Sequence, residues 1–155
     1  MYITTSRNPS NNTKEFSKKI CFFLGIYGKY ENRGRKSIED VVNRAKKLGH
    51  SEILIISETN NRPSSISKIK IFGEKWFWKE EIKFNGYTYK EKNSEEKNNE
   101  KDKFEVLVCM DLRKIFEIEM PISDFFSEIT YDKKNKKIKF VYKNKSLTLN
   151  GVEIC

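Results

Sequence analysis

Residues 53–56 read Ile-Leu-Ile-Ile, four apolar side chains in succession between a glycine-ended helical pattern and a polar loop. Successive side chains of a strand point to opposite faces, so an unbroken apolar run needs cover on both. Such a strand belongs in the middle of a sheet flanked by helices.

The neighbouring segments supply those helices. Ser37 precedes a stripe of Ile38, Val41, Val42, Ala45 and Leu48, with Asp40 three residues after the serine and Gly49 at the end. That spacing is a capping-box signature, and glycine is a common helix stop. Nearer the start, Asn8-Pro9 predicts a helix capped at Asn8, with proline in its first turn, running to about Leu24. Phe16, Ile20, Phe23 and Leu24 recur on one side of it, whereas Lys14 and Lys18 lie a turn apart on another. Short strands are expected at 1–5 and at Ile26 to Tyr30, the latter ending in the loop Asn32-Arg33-Gly34-Arg35-Lys36. Glu52 to Ser57 is the buried strand, and Asn60 to Ser65 a loop centred on Arg62-Pro63. Ile69 and Ile71 then alternate with Lys68 and Lys70 as a half-solvated strand. The order strand, helix, strand, helix, strand, strand predicts an α/β or α+β fold, with mixed sheets packed against helices.

Strand signals dominate the remainder: 76–84, 87–89, 104–110, 138–142, 146–149 and 152–154, with Asn150-Gly151 as a tight-turn signal between the last two. Asp111 to Phe116 and Ser123 to Ile129 are read as short helices. Lys90 to Lys103 contains no apolar residue and reads as a mobile loop tip. A chain of 155 residues with 37% hydrophobic content and eleven Phe is the size of one domain with one core, divisible into halves of about 1–73 and 74–155.

Charge is unevenly distributed. Residues 1–50 carry eleven basic and four acidic side chains, a net +7, whereas the other 105 residues carry 20 and 18, a net +2. A field confined to one third of a chain suits a polyanion, since Lys and Arg neutralise phosphates; a lysine-rich surface maintained for solubility is the plainer account. No apolar stretch approaches the ~18 residues of a membrane span, and the start is not a basic segment followed by an apolar run, so a cytoplasmic protein without a membrane partner is expected.

Motifs of catalysis are missing. The sequence has no G-x-S-x-G elbow, no G-x-x-x-x-G-K-[ST] or G-x-G-x-x-G phosphate loop and no H-E-x-x-H pair. The single histidine, His50, follows a helix-ending glycine and reads as a C-terminal cation favoured by the helix dipole. Glu80-Glu81 and Glu95-Glu96 fall in polar segments, not at the strand ends a two-metal nuclease would use. Cys21, Cys109 and Cys155 are far apart with no C-x-x-C pair, which argues against a zinc site or a disulfide framework; no cofactor is expected. In Trp76-Phe77-Trp78 a strand places both tryptophans on one face and Phe77 on the other. At least one side then reads as ordinary core, with base stacking as the competing reading.

The opening residues carry a family likeness. Ile3-Thr4-Thr5-Ser6-Arg7, Pro9-Ser10, Thr13, Phe16 and Lys18 resemble the opening signature of archaeal Brix-domain ribosome biogenesis proteins. The similarity continues through Asn32-Arg33-Gly34, Ser37 to Val42, Leu54 to Ser57 and Arg62-Pro63, then thins beyond Phe72, where Ile82-Lys83-Phe84-Asn85-Gly86 is its best piece. Asn11-Asn12 stands where that family usually carries a basic residue, and Lys90 to Lys103 is longer than its usual counterpart. The resemblance implies a single Brix domain of two similar halves, each like the anticodon-binding domain of class II aminoacyl-tRNA synthetases. It further implies pre-rRNA binding during small-subunit assembly, with no enzymatic activity.

The basic residues fit that role physically. Arg7 follows a strand and precedes a helix whose free N–H groups suit a phosphate, while Lys14, Lys18, Lys19, Arg33, Arg35 and Lys36 extend the cationic surface and Arg62 adds to it from its loop. Arg prevails at the turns, where a rigid fork matches phosphate, and Lys on the helix. The alternative is an adaptor that binds other assembly proteins through strand edges or the Trp76 region, with little direct RNA contact.

Overall fold

The computed structural model describes residues 1–24, 28–91 and 128–155, and these described residues form two β-sheets and two α-helices. Strands β1 (Tyr2–Thr5), β2 (Lys29–Tyr30), β3 (Glu52–Thr59), β4 (Arg62–Phe72), β5 (Lys75–Lys83) and β10 (Glu153–Ile154) make one sheet in the order β10-β5-β4-β3-β1-β2. Strand β1 runs parallel to both β2 and β3, and the other pairs are antiparallel. Strands β6 (Gly86–Glu91), β7 (Glu128–Asp132), β8 (Lys137–Tyr142) and β9 (Lys145–Asn150) form a second, antiparallel sheet in the order β6-β9-β8-β7.

The apolar run of β3 behaves as its pattern requires. Ile53 and Ile55 pack with Tyr2, Ile69 and Ile71 against Val41, Val42 and Ala45 of helix α2 (Ile38–Lys47). Leu54 and Ile56 turn to the opposite face, where Phe16, Ile20 and Phe23 of helix α1 (Asn11–Phe23) meet Ile66 and Ile82 as well as Ile138, Phe140, Leu147 and Leu149 of the second sheet. The position near residue 73, foreseen as the division between halves, lies in the β4–β5 turn, and both of those strands stay in one sheet.

Several local expectations are corrected. The cap of α1 is Ser10, whose hydroxyl accepts from the Thr13 N–H, and not Asn8, which adopts a left-handed φ of 51° and leaves buried Pro9 outside the helix. The expected loop over 60–65 shrinks to Asn60 and Asn61, with φ of 52° and 59°; two such residues form the tight turn that matches strand twist, so β4 already begins at Arg62. Pro63 is tolerated in the ladder because the β3–β4 register shifts there. Lys68, assigned to the solvated face, is instead only 3% exposed, with its ammonium 3.1 Å from the Glu52 carboxylate.

Asn150-Gly151 does turn the chain, but it passes it from one sheet to the other: β9 pairs with β6 and β8, and β10 with β5. Of the predicted 123–129 helix, Glu128 and Ile129 lie in β7, and 123–127 fall outside the described residues. The predicted strand at 104–110, the helix at 111–116, Cys109, and the loop tip beyond Glu91 also lie outside them. Among the described residues, no helix is long and apolar enough to cross a membrane.

Candidate nucleic-acid interface

The carboxyl ends of β1, β2 and β3 share one end of the first sheet, and both long helices begin there, α1 after β1 and α2 after β2. In α/β sheets this end is where ligands collect, because helix N-termini converge on it. The order β3-β1-β2 has the chain move from β1 to one side and then to the other, so the crevice lies between β1 and β3.

That crevice is already occupied by an anion of the protein itself. Glu58, at the end of β3, accepts hydrogen bonds from the Ser10 N–H (3.0 Å), from the Ser10 hydroxyl (2.6 Å) and from the Thr13 hydroxyl. Burial pushes the Glu58 carboxyl up, but these bonds prevail and hold it below the usual carboxylate range. At the start of α1 the Ser10 N–H is thereby taken by Glu58, and the Thr13 N–H by the Ser10 hydroxyl. The first turn of this helix has no acidic residue of its own, and Glu58 supplies one from 48 residues away. The start of α2 is satisfied as predicted: Ser37 accepts from Asp40 N–H, and the Asp40 carboxylate accepts from Ser37 N–H at 2.9 Å.

Around these two capped helix starts the structure gathers part of the nominated basic set. Arg7 is exposed after β1, and its charge, after burial, is a cause of the lowered pKa of Arg33. Arg7 and Lys36 both act on the Asp40 carboxyl, whose low pKa comes first from the Ser37 N–H bond. Arg33 is 8% exposed and its Nε donates to the Lys36 carbonyl at 2.9 Å, so it braces the loop while Arg35 and Lys36 remain exposed. Gly34, at φ 58°, makes this turn possible. Lys14 lies near enough to help depress Glu58. Arg62 is exposed beside the same knot, since the Ser10 hydroxyl lies within 3.2 Å of the Asn61 carbonyl, and it lines a polar cleft of about 500 Å³ with Thr59, Asn60 and Asn85.

Two members diverge along α1. Lys18 pairs with Glu15 at 2.7 Å in full solvent, and Lys19 sits 5.1 Å from the ring centre of Tyr89 in the second sheet. Among the described residues, Lys18 is the one nominated cation with an ion pair. His50 departs from its expected role as a dipole-stabilised cation. Burial, and then the charge of the Met1 amine 3.1 Å from its Nδ1, lowers its pKa.

The aromatic run divides between core and surface. Trp76 packs against the α2 core, but Phe77 and Trp78 are 49% and 51% exposed, and Phe72 is 53% exposed. Among the described residues, no group of three or more His, Cys, Asp or Glu is arranged to hold a metal ion.

No family model matches the chain. A probable Brix domain-containing ribosomal biogenesis protein of Methanothermobacter thermautotrophicus is 34% identical over 67 residues, 43% of this chain and 39% of that protein. The protein so named in Thermococcus kodakarensis is 32% identical over 78 residues, 49% of this chain and 36% of the other. The chain thus matches little more than a third of the length of these curated relatives. A probable ribosomal biogenesis protein from Aeropyrum pernix K1 has a similar crystal structure, with a TM-score of 0.71 at 16% identity over 96% of this chain and 94% of that one. Mil, an archaeal Imp4-like protein, gives 0.65 at 20% identity with both chains fully covered. The mixed α/β fold is that of these structures, and the curated relatives of the chain are archaeal proteins named as Brix domain-containing ribosomal biogenesis proteins.

Proposed function

We propose that the chain is a non-catalytic ribosome assembly factor that binds RNA, in a cytoplasmic setting, through the basic end of its first sheet. The observation that carries this reading is that Arg7 and Lys36 both act on Asp40 at the start of α2, while Arg33 lies near Arg7 and its Nε donates to the Lys36 carbonyl at 2.9 Å. With Glu58 and Asp40 each bound at a helix start, the exposed Arg7, Arg35 and Lys36 are the cations offered to a phosphate there. Such contacts position an RNA backbone without reading bases. The relatives' names support a role in ribosome biogenesis, and the resemblance of the opening motif adds pre-rRNA of the small subunit as the ligand.

The test is the affinity of the chain for a structured rRNA fragment across a salt series. Binding should weaken steeply with salt, and the triple variant Arg33→Ala, Arg35→Ala, Lys36→Ala should lose affinity and flatten the slope by about one per phosphate contact removed. A flat salt dependence in the parent chain, or a triple variant that binds as the parent does, sinks the reading. Recovery of partners after nuclease treatment separates an adaptor, which keeps them, from an RNA-dependent factor.

A further inference from the structure

The hairpin β4–β5 ends in a checkerboard of aromatic and cationic side chains. On one face Lys70 stands opposite Phe77, and Phe72 opposite Lys75. The two phenyl rings are 6.4 Å apart, about half of each is open to solvent, and the Lys70 ammonium lies 5.3 Å from the Phe72 ring centre. Neither ring belongs to either apolar core, although the same face carries Ile66 and Ile82 into the core beside α1 a few residues along. The open rings present π-faces beside cationic side chains, an arrangement able to hold a stacking ligand.

Two kinds of partner compete for such a surface. A protein segment adding a strand to β5 would need a flat, accessible edge. Strand β10 covers only the far part of β5, at Ile82 and Lys83, so on the edge away from β4 the stretch Lys75 to Lys79 has no neighbouring strand among the described residues. That rim carries Lys75 and Lys79, and the β4–β5 register is broken between Ser67 and Ile69. Charge and bulges of this kind oppose strand addition. The same lysines between open rings suit a polyanion with π-faces: a base stacks on a ring while the adjacent ammonium meets its phosphate.

From this arrangement we infer that Phe72 and Phe77, with Lys70 and Lys75, form a second binding surface that takes unpaired nucleotides of RNA by base stacking. It rests on the reading of the chain as an RNA binder and adds a single-stranded ligand to the phosphate contacts at the other site.

The experiment compares the full chain with the double variant Phe72→Leu, Phe77→Leu, which keeps apolar surface and removes the rings. Both are titrated with labelled oligouridylate and with a fully paired RNA hairpin, and their folding is checked by thermal melting. The double variant should melt as the parent does, lose roughly ten- to a hundredfold in affinity for oligouridylate and bind the paired hairpin unchanged. An unchanged oligouridylate affinity overturns the inference and leaves the basic-end reading intact. Failure of the parent chain to bind either RNA removes both. A double variant that keeps oligouridylate binding but loses a nuclease-resistant protein partner assigns the surface to protein and likewise overturns the inference.

Discussion

The hydroxyl of Ser10 donates to a carboxylate oxygen of Glu58 across 2.6 Å, tying the first turn of α1 to the end of β3. With the Ser10 N–H and the Thr13 hydroxyl bound to the same group, one acidic side chain does the work that an acid in the first helical turn would otherwise do.

Glu58→Gln keeps the shape of this knot but replaces a charged acceptor with a neutral one. A loss of about 1–3 kcal/mol is expected at neutral pH, read from urea unfolding. The folded-state pKa of Glu58 lies below its ordinary value, so its contribution is present above the unfolded pKa and is lost as pH falls through the folded one. The gap between the parent chain and Glu58→Gln should therefore narrow below about pH 4, and a gap that stays constant into acid would refute the assignment.

Lys68 and Glu52 pair at 3.1 Å with side chains 3% and 15% exposed. Removing one partner leaves a charge in a poorly solvated place, so Lys68→Met should cost about 3–5 kcal/mol. Adding Glu52→Leu should recover much of that loss, and a double-mutant cycle in urea measures it. Strictly additive losses would show that the two charges are not coupled.

Gly34 and Gly151 share nearly the same backbone, at φ 58° and 62°, but differ in surroundings. A Cβ at Gly34 meets nothing within 4 Å, whereas one at Gly151 would come within 2.5 Å of the Asn85 side chain. Gly34→Ala should cost about 1 kcal/mol for the left-handed backbone alone, and Gly151→Ala should lower the melting temperature further. Equal melting temperatures would contradict this ranking.

Lys18 is held by Glu15 in open solvent, while Arg35 projects from the loop braced by Arg33. Arg35→Ala should reduce the slope of log affinity against log salt by about one for a structured RNA, and Lys18→Ala should change it less. The reverse order would move the interface from the sheet end to the outer face of α1.

Much of the first sheet was legible because its signals are local. The Ser37–Asp40 capping box, the stripe over Val41, Val42 and Ala45, and the apolar run of β3 each lie within a few residues, and each has the partners its pattern demands. The α1 stripe of Phe16, Ile20 and Phe23 is buried for the same reason. Local signals failed where a neighbour in the chain was a poor guide to a neighbour in space. Asn8-Pro9 resembles a helix start, yet Ser10 became the cap with Glu58 beside it. Lys68 looked solvated by alternation, but it is buried where it stands and Glu52 compensates its charge.

The candidate interface divides along the same line. The excess of basic residues before Lys47 and the aromatic run at residues 76–78 are properties of the sequence alone. Tertiary structure decided which of them meet. Parallel pairing of β1 with β2 and β3 gathers Arg7, Arg33 and Lys36 while Lys19 is drawn to Tyr89, and antiparallel pairing of β4 with β5 sets Phe72 beside Phe77 in the open. Periodicity and capping act over one or two turns of chain. Strand register joins residues tens of positions apart, and only closure of the sheet determines which of their side chains share a face.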